Sequence, residues 1–443
     1  MAQPRPAHAA HPRRTLGFAL ALVVAAVVGV GGAIAVAGTG TPDAAETGAQ
    51  NSPPASGTPQ PTPTPTLSSP SPSPTPTVEP DVVFSLIAGG DILPHMGVIS
   101  STKTADGYDF TKLMAPSEDF INGADIALCH MEVPVAPKGT KPSGYPMFGA
   151  PKQLVPDLAT VGWDGCSTAS NHSVDRGFNG IVATLDAFEA AGLGHAGTAR
   201  SKDESTQVQF YDVTENGRTV RVAHISWAYG LNGLSKPAGK PWSVNTFNMS
   251  EADVAPIIAS AKGAREAGAD VVVASVHCCV EYVTQPGAIQ KQIAQKIADS
   301  GLVDLYIGHH AHVPQPIVRL DGGPDGKGMW VAYGLGNFVS NQDASTVGVK
   351  QSASGVLMTA TFTVTPEDDV SVDVAWTAVT VDRTGGHKVY PITEDTGAVG
   401  KLSASTVHAR WKLVSGAVGD AAPELTSPGT PYADSVTASV RTP

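Results

Sequence analysis

Three of the thirteen histidines of this 443-residue chain, His309, His310 and His312, fall within four positions of the stretch Ile307 to Pro316, read as I-G-H-H-A-H-V-P-Q-P. Neutral imidazole is the commonest side-chain ligand for transition metals. Two imidazoles with one residue between them on an extended segment face the same side. The apolar, β-favouring run Val303 to Ile307 directly precedes them, which predicts a buried strand that carries the histidines at its carboxyl end. A solvated cluster of loop histidines is the plainer reading. It loses weight because Gly308 and Pro314 punctuate the stretch tightly and because other polar groups stand at the ends of other strand-like runs.

Asp91 follows Gly89-Gly90 at the end of the first such run, and Glu132 follows the run that ends at Cys129. Asn171 and His172 follow the run ending near Thr168, His277 and Glu281 follow Val271 to Val276, and Asn337 follows Met329 to Leu335. Taken singly, Asp91 and Asn171 read as turn or cap residues and His277 as a satisfied core histidine. Taken together they point to one crevice, since ligands in open α/β sheets gather at the carboxyl ends of strands. Carboxylate, carboxamide and imidazole in combination are the donor set that a pair of divalent metals of borderline softness requires.

The elements that must position these groups alternate strand-like and helical patterns from Val82 onward, the signature of α/β architecture. Strands are expected at Val82 to Ala88, Ala124 to Cys129, Gly162 to Thr168 and Val271 to Val276, and again at Met329 to Leu335, Gly355 to Thr365 and Val370 to Val381. Helices are expected at Phe110 to Ile121, Ile181 to Ala191, Glu251 to Ala267 and Gly287 to Ser300. Asn216-Gly217 between Val208 to Val213 and Thr219 to Ser226 is a hairpin signal. Beyond about Arg383 the signals weaken: one helix is expected at Ser403 to Ala417, and the last twenty residues read as a polar tail.

The chain opens with Arg5, Arg13 and Arg14 in residues 1–15, expected to be cytoplasmic. Residues 16–38 hold the uncharged apolar run Leu16 to Ala37, long enough to span a hydrocarbon core of ~30 Å. Ala35-Val36-Ala37 also resembles a signal-peptidase site, so a cleaved signal and a secreted protein compete with a retained single-pass anchor. The length of the run favours the anchor, with the C-terminal domain outside the cell. Residues 39–80 are rich in Pro, Thr and Ser and cannot bury enough apolar area to offset their ordering entropy, so they read as a disordered stalk. The folded domain is expected over 81–383, with 384–443 as a C-terminal extension.

A formal net charge of -12 disfavours nucleic acid as a partner. Four cysteines are too few for a disulfide-built scaffold. Cys129 and Cys166 both lie at strand ends just before site residues, which predicts that they pair, whereas the adjacent Cys278 and Cys279 are expected to pair elsewhere or stay free.

G-G-D-I-L at 89 to 93, M-E-V-P at 131 to 134, S-N-H-S-V-D-R-G at 170 to 177, H-C-C-V-E-Y at 277 to 282, G-H-H-A-H-V-P-Q at 308 to 315 and Y-G-L-G-N-F at 333 to 338 form an ordered series. It resembles that of the CapA family of bacterial capsule or poly-γ-glutamate synthesis proteins, over about Val83 to Phe338. That family is similar in turn to calcineurin-like metallophosphoesterases. The resemblance implies an α/β sandwich of two sheets flanked by helices and two divalent ions (Mn, Fe or Zn). It implies that Asp91 and His312 hold one ion, that Asn171, His277 and His310 hold the other, and that Glu132 bridges them; which pair among His309, His310 and His312 binds metal stays open, since Gly308-His309 fits one alignment and His310-Ala311-His312 another. His172 would protonate a leaving oxygen with Asp175 orienting it, while His95, His130, Glu281, His309 and Asn337 would touch substrate or support the ligands.

Three departures from the pattern bear on activity. Leu93 stands where the phosphoesterases have a metal-binding histidine, and His130 and Cys278-Cys279 replace an Asn and a Trp-Gly of the family. The resulting expectation is a surface-anchored, dinuclear metal-dependent hydrolase of phosphoester or acyl bonds in capsule-polymer production or export. Its partners would be an anionic polymer or phosphoester, the membrane, and other capsule-synthesis membrane proteins. The alternative is a polymer-binding or assembly factor without turnover.

Overall fold

The computed structural model describes residues 79–443; the apolar run Leu16 to Ala37 and nearly all of the stalk lie outside the described residues. No helix among the described residues is long and apolar enough to cross a membrane.

Among the described residues, fifteen strands form two sheets. The first contains β1 (Val82–Leu93), β2 (Ile126–Met131), β3 (Gly165–Ser167) and β4 (Gly194–Ala196) in parallel succession. The second is built on β5 (Gln209–Glu215), β6 (Arg218–Ala228), β7 (Val271–His277), β8 (Leu305–His309), β9 (Ile317–Leu320) and β10 (Met329–Ala332), with β6, β7, β8 and β10 parallel. The chain then returns to the first sheet through β11 (Asn337–Ser340), which runs parallel to the end of β1, and the long antiparallel β12 (Ser354–Val364) and β13 (Val370–Asp382). The short β14 (Lys388–Ile392) extends that sheet, and β15 (Ser435–Ala438) pairs with β5 at the edge of the second.

The period-2 pattern of each strand divides its side chains between two cores. Phe84, Leu86 and Ala88 of β1 meet Val271 and Val273 of β7 and Leu305 and Ile307 of β8 in one cluster between the sheets. The intervening Ile87 of β1 packs outward with Leu154, Leu158 and Phe188 of the helices Leu154–Val161 and Gly177–Ala191. On the far face Val272, Ala274 and Tyr306 pack with Ile257 and Ile293 of the helices Ala255–Glu266 and Ala288–Asp299. The expected two-sheet α/β architecture with flanking helices is therefore present.

Several boundaries differ from the sequence reading. The helix expected from Phe110 to Ile121 is three consecutive short turns, Thr111–Met114, Ala115–Ser117 and Glu118–Ile121, with Pro116 at the start of the middle one. Asn216 and Gly217 both take positive φ, 53° and 80°, as a two-residue hairpin requires. The polar tail is corrected: β15 completes an edge ladder, the backbone N–H groups of Tyr432 and Ala433 donate to Asp125 Oδ1 at 2.8 Å each, and Arg441 is buried where its guanidinium donates to the carbonyl oxygens of His195 and Glu204. Its composition is polar because an edge strand shows water one face and gains its stability from backbone hydrogen bonds.

The Cys129–Cys166 disulfide is present, joining residues that sit opposite each other on β2 and β3. Cys278 and Cys279 do not stay free or pair elsewhere, contrary to the sequence reading; they are bonded to each other directly after His277. In three dimensions neither has another cysteine to meet, because Cys129 and Cys166 satisfy one another on the other sheet.

Candidate metal centre

The carboxyl ends of parallel strands from both sheets converge on one crevice. Asp91 of β1 is in register with His130 of β2 and Asn337 of β11, and His277 of β7 is in register with His309 of β8. Close backbone approach makes this convergence possible. A Cβ on Gly90 would stand 2.0 Å from the Gly336 carbonyl oxygen, and one on Gly308 would stand 1.9 Å from that of Tyr333. Only glycine fits either place, so each functional residue follows the glycine that lets its strand end seat. His310 and His312 take positive φ, 84° and 55°, as does Tyr282 at 62°. Left-handed backbone at non-glycine residues costs free energy and persists where the surroundings fix it, a pattern concentrated at functional sites.

Asp91 and Glu132 are wholly buried, and none of their four carboxylate oxygens has a hydrogen-bond donor among the described residues. His312 Nδ1 lies 3.0 Å from Asp91 Oδ2 and His309 Nδ1 lies 3.4 Å from Asp91 Oδ1, close enough for ion pairing but without hydrogen-bond alignment. Two sets of donor atoms fall within 4.8 Å of one another around these carboxylates: Asp91, Glu132 and His312, and Glu132, His277 and His310. Glu132 is common to both, as a carboxylate between two cations would be. His130 joins Asp91 and His277 in a third set, and Glu281 joins His310 and His312 in a fourth. The sequence reading placed His130 and Glu281 outside the ligand set, and the structure brings both within reach of it.

Burial is the largest influence on His130, His277, His310 and His312 and disfavours the charge of each. It drives His130 and His277 well below the ordinary range and His310 to about 3, and their neighbouring imidazoles reinforce the effect. Neutral rings are the form that binds metal. His312 is the exception: burial opposes its charge, but Glu132 and Asp91 outweigh burial and raise it to about 10. Burial also raises Glu132 well above the usual carboxylate range, whereas Asp91 is lowered because His309 and His312 together overcome its burial. Burial holds Glu132 back from ionising unless cations join it, and the oxygens of both carboxylates lack hydrogen-bond donors among the described residues, a deficit that bound divalent ions would fill. The residues present therefore fit a divalent metal pair.

Asn171 and His172 sit on the turn after β3. Asn171 Oδ1 meets His277 Nε2 at 3.0 Å, and its Nδ2 donates to Asn232 Oδ1 at 3.1 Å. His172 Nδ1 lies 2.7 Å from Asp175 Oδ2, which also accepts from the Phe148 backbone N–H at 2.7 Å. Asp175 thus orients the ring and leaves Nε2 facing the crevice, 3.5 Å from Asn232 Nδ2. Asn337 Oδ1 receives His312 Nδ1 at 3.1 Å, and its Nδ2 donates to the His312 and Ser352 carbonyls and to Gln342 Oε1. That places Asn337 behind a candidate ligand. His309 stacks on His130 with ring centroids 4.1 Å apart, and His95 lines the adjoining cleft with its ring edge-on to Phe148. His95 lies in none of the donor sets.

Sequence reasoning did not find Asn232, Gln342 or Tyr229, whose ring lies 4.8 Å from His310. Asn232-Gly233 is a turn signal between strands, and its positive φ of 51° at Asn232 fits that, but nothing in the sequence places the turn against His172.

The fold and site define a two-sheet α/β protein with a buried candidate dinuclear metal centre at its strand ends. The chain belongs to the family described as bacterial capsule synthesis protein PGA_cap, whose model matches residues 85–342. It is 30% identical over 229 residues to the PGA biosynthesis protein CapA of Bacillus subtilis (strain 168), covering 49% of this chain and 54% of that one. It is 25% identical over 248 residues to a probable polyglutamine synthesis accessory protein of Mycobacterium tuberculosis (strain ATCC 25618 / H37Rv), covering 54% and 62%. The chain thus spans between half and two thirds of these relatives. The calcineurin-like phosphoesterase YfkN from Bacillus subtilis aligns with 67% of this chain and 91% of its own at a TM-score of 0.37 and 14% identity, so the architecture described here rests on its own sheets.

Proposed function

We propose that this protein is a dinuclear metal-dependent hydrolase of capsule or poly-γ-glutamate production, acting on a phosphoester, acyl or amide bond. The observation that carries the reading is the pair of wholly buried carboxylates, Asp91 and Glu132, with four oxygens that have no hydrogen-bond donor among the described residues, beside the neutral imidazoles of His130, His277 and His310. Asp91 and His312 would hold one ion, Asn171, His277 and His310 the other, and Glu132 both. Bound divalent ions supply Lewis-acid polarisation and a nucleophile available near neutral pH. His172 supplies the proton: Asp175 fixes Nδ1, so Nε2 is the atom that donates to a departing oxygen. The process is inferred from family membership and from the names of the relatives, of which one is called a biosynthesis protein and another an accessory protein. The run Leu16 to Ala37 would hold the domain at the outer face of the cell membrane.

A second reading, a polymer-binding or assembly factor without turnover, draws on Leu93, which is buried at the cleft and offers no donor where a histidine would serve. Metal analysis of the purified protein, followed by assays on phosphate mono- and diesters, an activated acyl ester and a γ-glutamyl amide, separates the two. Two ions per chain with turnover is the expected result. Zero stoichiometric metal overturns the hydrolase, and metal-loaded protein that binds glutamyl polymer but cleaves none of these compounds replaces it with the assembly factor.

A further inference from the structure

A cleft of about 500 Å³ opens beside His172 and His312. On the hydrolase reading it receives the part of the substrate that does not react. Tyr145, Phe148 and Tyr282 give it aromatic walls, and Tyr145 leaves 78% of its surface in water. Two of these rings, Phe148 and Tyr282, are held in place. Phe148 is tied through its backbone N–H to Asp175 and lies edge-on to His172 with centroids 4.7 Å apart. Tyr282 Oη accepts from Gln342 Nε2 at 3.0 Å, and Gln342 is anchored in turn by Asn337.

The charge of the cleft is as informative as its shape. Among the described residues no lysine or arginine lines it, and its one carboxylate outside the buried centre is that of Glu281, whose side chain is 41% exposed. Arg176, four residues after His172, is occupied elsewhere, donating to Ser143 Oγ and to the Lys141 carbonyl. The one cationic side chain at the cleft, His312, is already engaged by Asp91 and Glu132, so a glutamyl unit with a free carboxylate would bring a further anion against Glu281. A sugar ring offers the opposite properties: an apolar C–H face to lie on an aromatic ring, a hydroxyl rim that donates to carboxylate and amide oxygens, and no charge. Asn341, also in the lining, adds a carboxamide of that kind.

We infer that the cleft receives an uncharged glycosyl group joined to the reacting bond, and that the carboxylate-bearing glutamyl chain is not what occupies it. This rests on the proposed function for the role of the neighbouring centre, but the cleft chemistry is measured separately from turnover. The test is calorimetric titration of the full chain, manganese-loaded, with N-acetylglucosamine and with the dipeptide γ-glutamyl-glutamate. The sugar is expected to bind at least ~10-fold more tightly than the dipeptide. Tyr145→Ala should weaken the sugar by ~10-fold and leave bound manganese unchanged, and Val347→Lys, which adds a cation to the wall, should improve the dipeptide. Tighter binding of the dipeptide to the unmodified protein, no binding of the sugar, or sugar affinity unaffected by Tyr145→Ala overturns the inference. Failure to bind manganese counts against the metal centre alone, since the sugar titration on the metal-free protein still reads the cleft.

Discussion

A metal ligand and a proton donor fail differently when removed, and His310 and His172 provide the comparison. His310 shares a donor set with Glu132 and His277, and its ring is buried and neutral. His310→Ala should therefore lower bound metal, and with it the stability that the metal lends. For an ion held at a hundred times its dissociation constant that contribution is ~2.7 kcal/mol. At ~2.1 cal/mol/K of unfolding entropy per residue over the folded domain, it corresponds to a fall in Tm of roughly 3 to 4 °C. His172 belongs to none of the donor sets, and its Nδ1 is committed to Asp175 at 2.7 Å. His172→Ala should leave metal content unchanged and cost ~1.5 to 3 kcal/mol through the lost charge-assisted hydrogen bond. Turnover of esters with poor leaving groups should slow by ~10² to 10⁴, with much less effect on activated esters that need no proton. The assays are metal analysis, thermal melts with and without added metal, and paired hydrolysis of unactivated and activated phosphate esters. Equal metal loss in both variants, or equal slowing of both ester types by His172→Ala, would refute the division of roles.

Gly308→Ala should destabilise the protein by about 3 kcal/mol or more, measured by denaturant unfolding, because its Cβ would stand 1.9 Å from a backbone oxygen that cannot swing away. Replacing Cys129 and Cys166 with serine should cost about 4 kcal/mol on the loop-entropy model for a separation of 37, and unchanged unfolding under reducing conditions would contradict it. His224 is wholly buried and held neutral by burial first, its folded value lowered to about 3 against 6.5. The unfolded state therefore binds more protons below pH 6.5, so this contribution is full above that pH and is lost as pH falls toward about 3. The loss has reached about 2 kcal/mol at pH 5. His224→Gln should flatten the dependence of unfolding free energy between pH 7 and 5, and an unchanged slope would assign the acid sensitivity to other groups. Cell fractionation should find the protein with the membranes; recovery from the medium with a new N-terminus near Gly38 would show cleavage instead.

The sequence by itself determined the local choices. Continuous apolar, β-favouring runs marked which residues form β1, β7 and β8, because a strand buried on both faces sends apolar side chains into two cores. Gly192 at positive φ ended the helix Gly177–Ala191 where the sequence placed its stop. The polar groups at strand ends were legible for the same reason, since topology carries the ends of parallel strands to one side. What the sequence could not contain was distance across the sheets. Only the tertiary structure decided that Glu132 is common to two donor sets, that His130 and Glu281 come within reach of the centre, and that Asn232 lies against His172 from 60 residues away. The last residues were illegible because β15 is an edge strand stabilised by backbone pairing with β5, an interaction that carries no side-chain pattern. Likewise Cys278 and Cys279 had no choice of partner once β2 and β3 had placed Cys129 opposite Cys166, a pairing made by strand register and not by spacing along the chain.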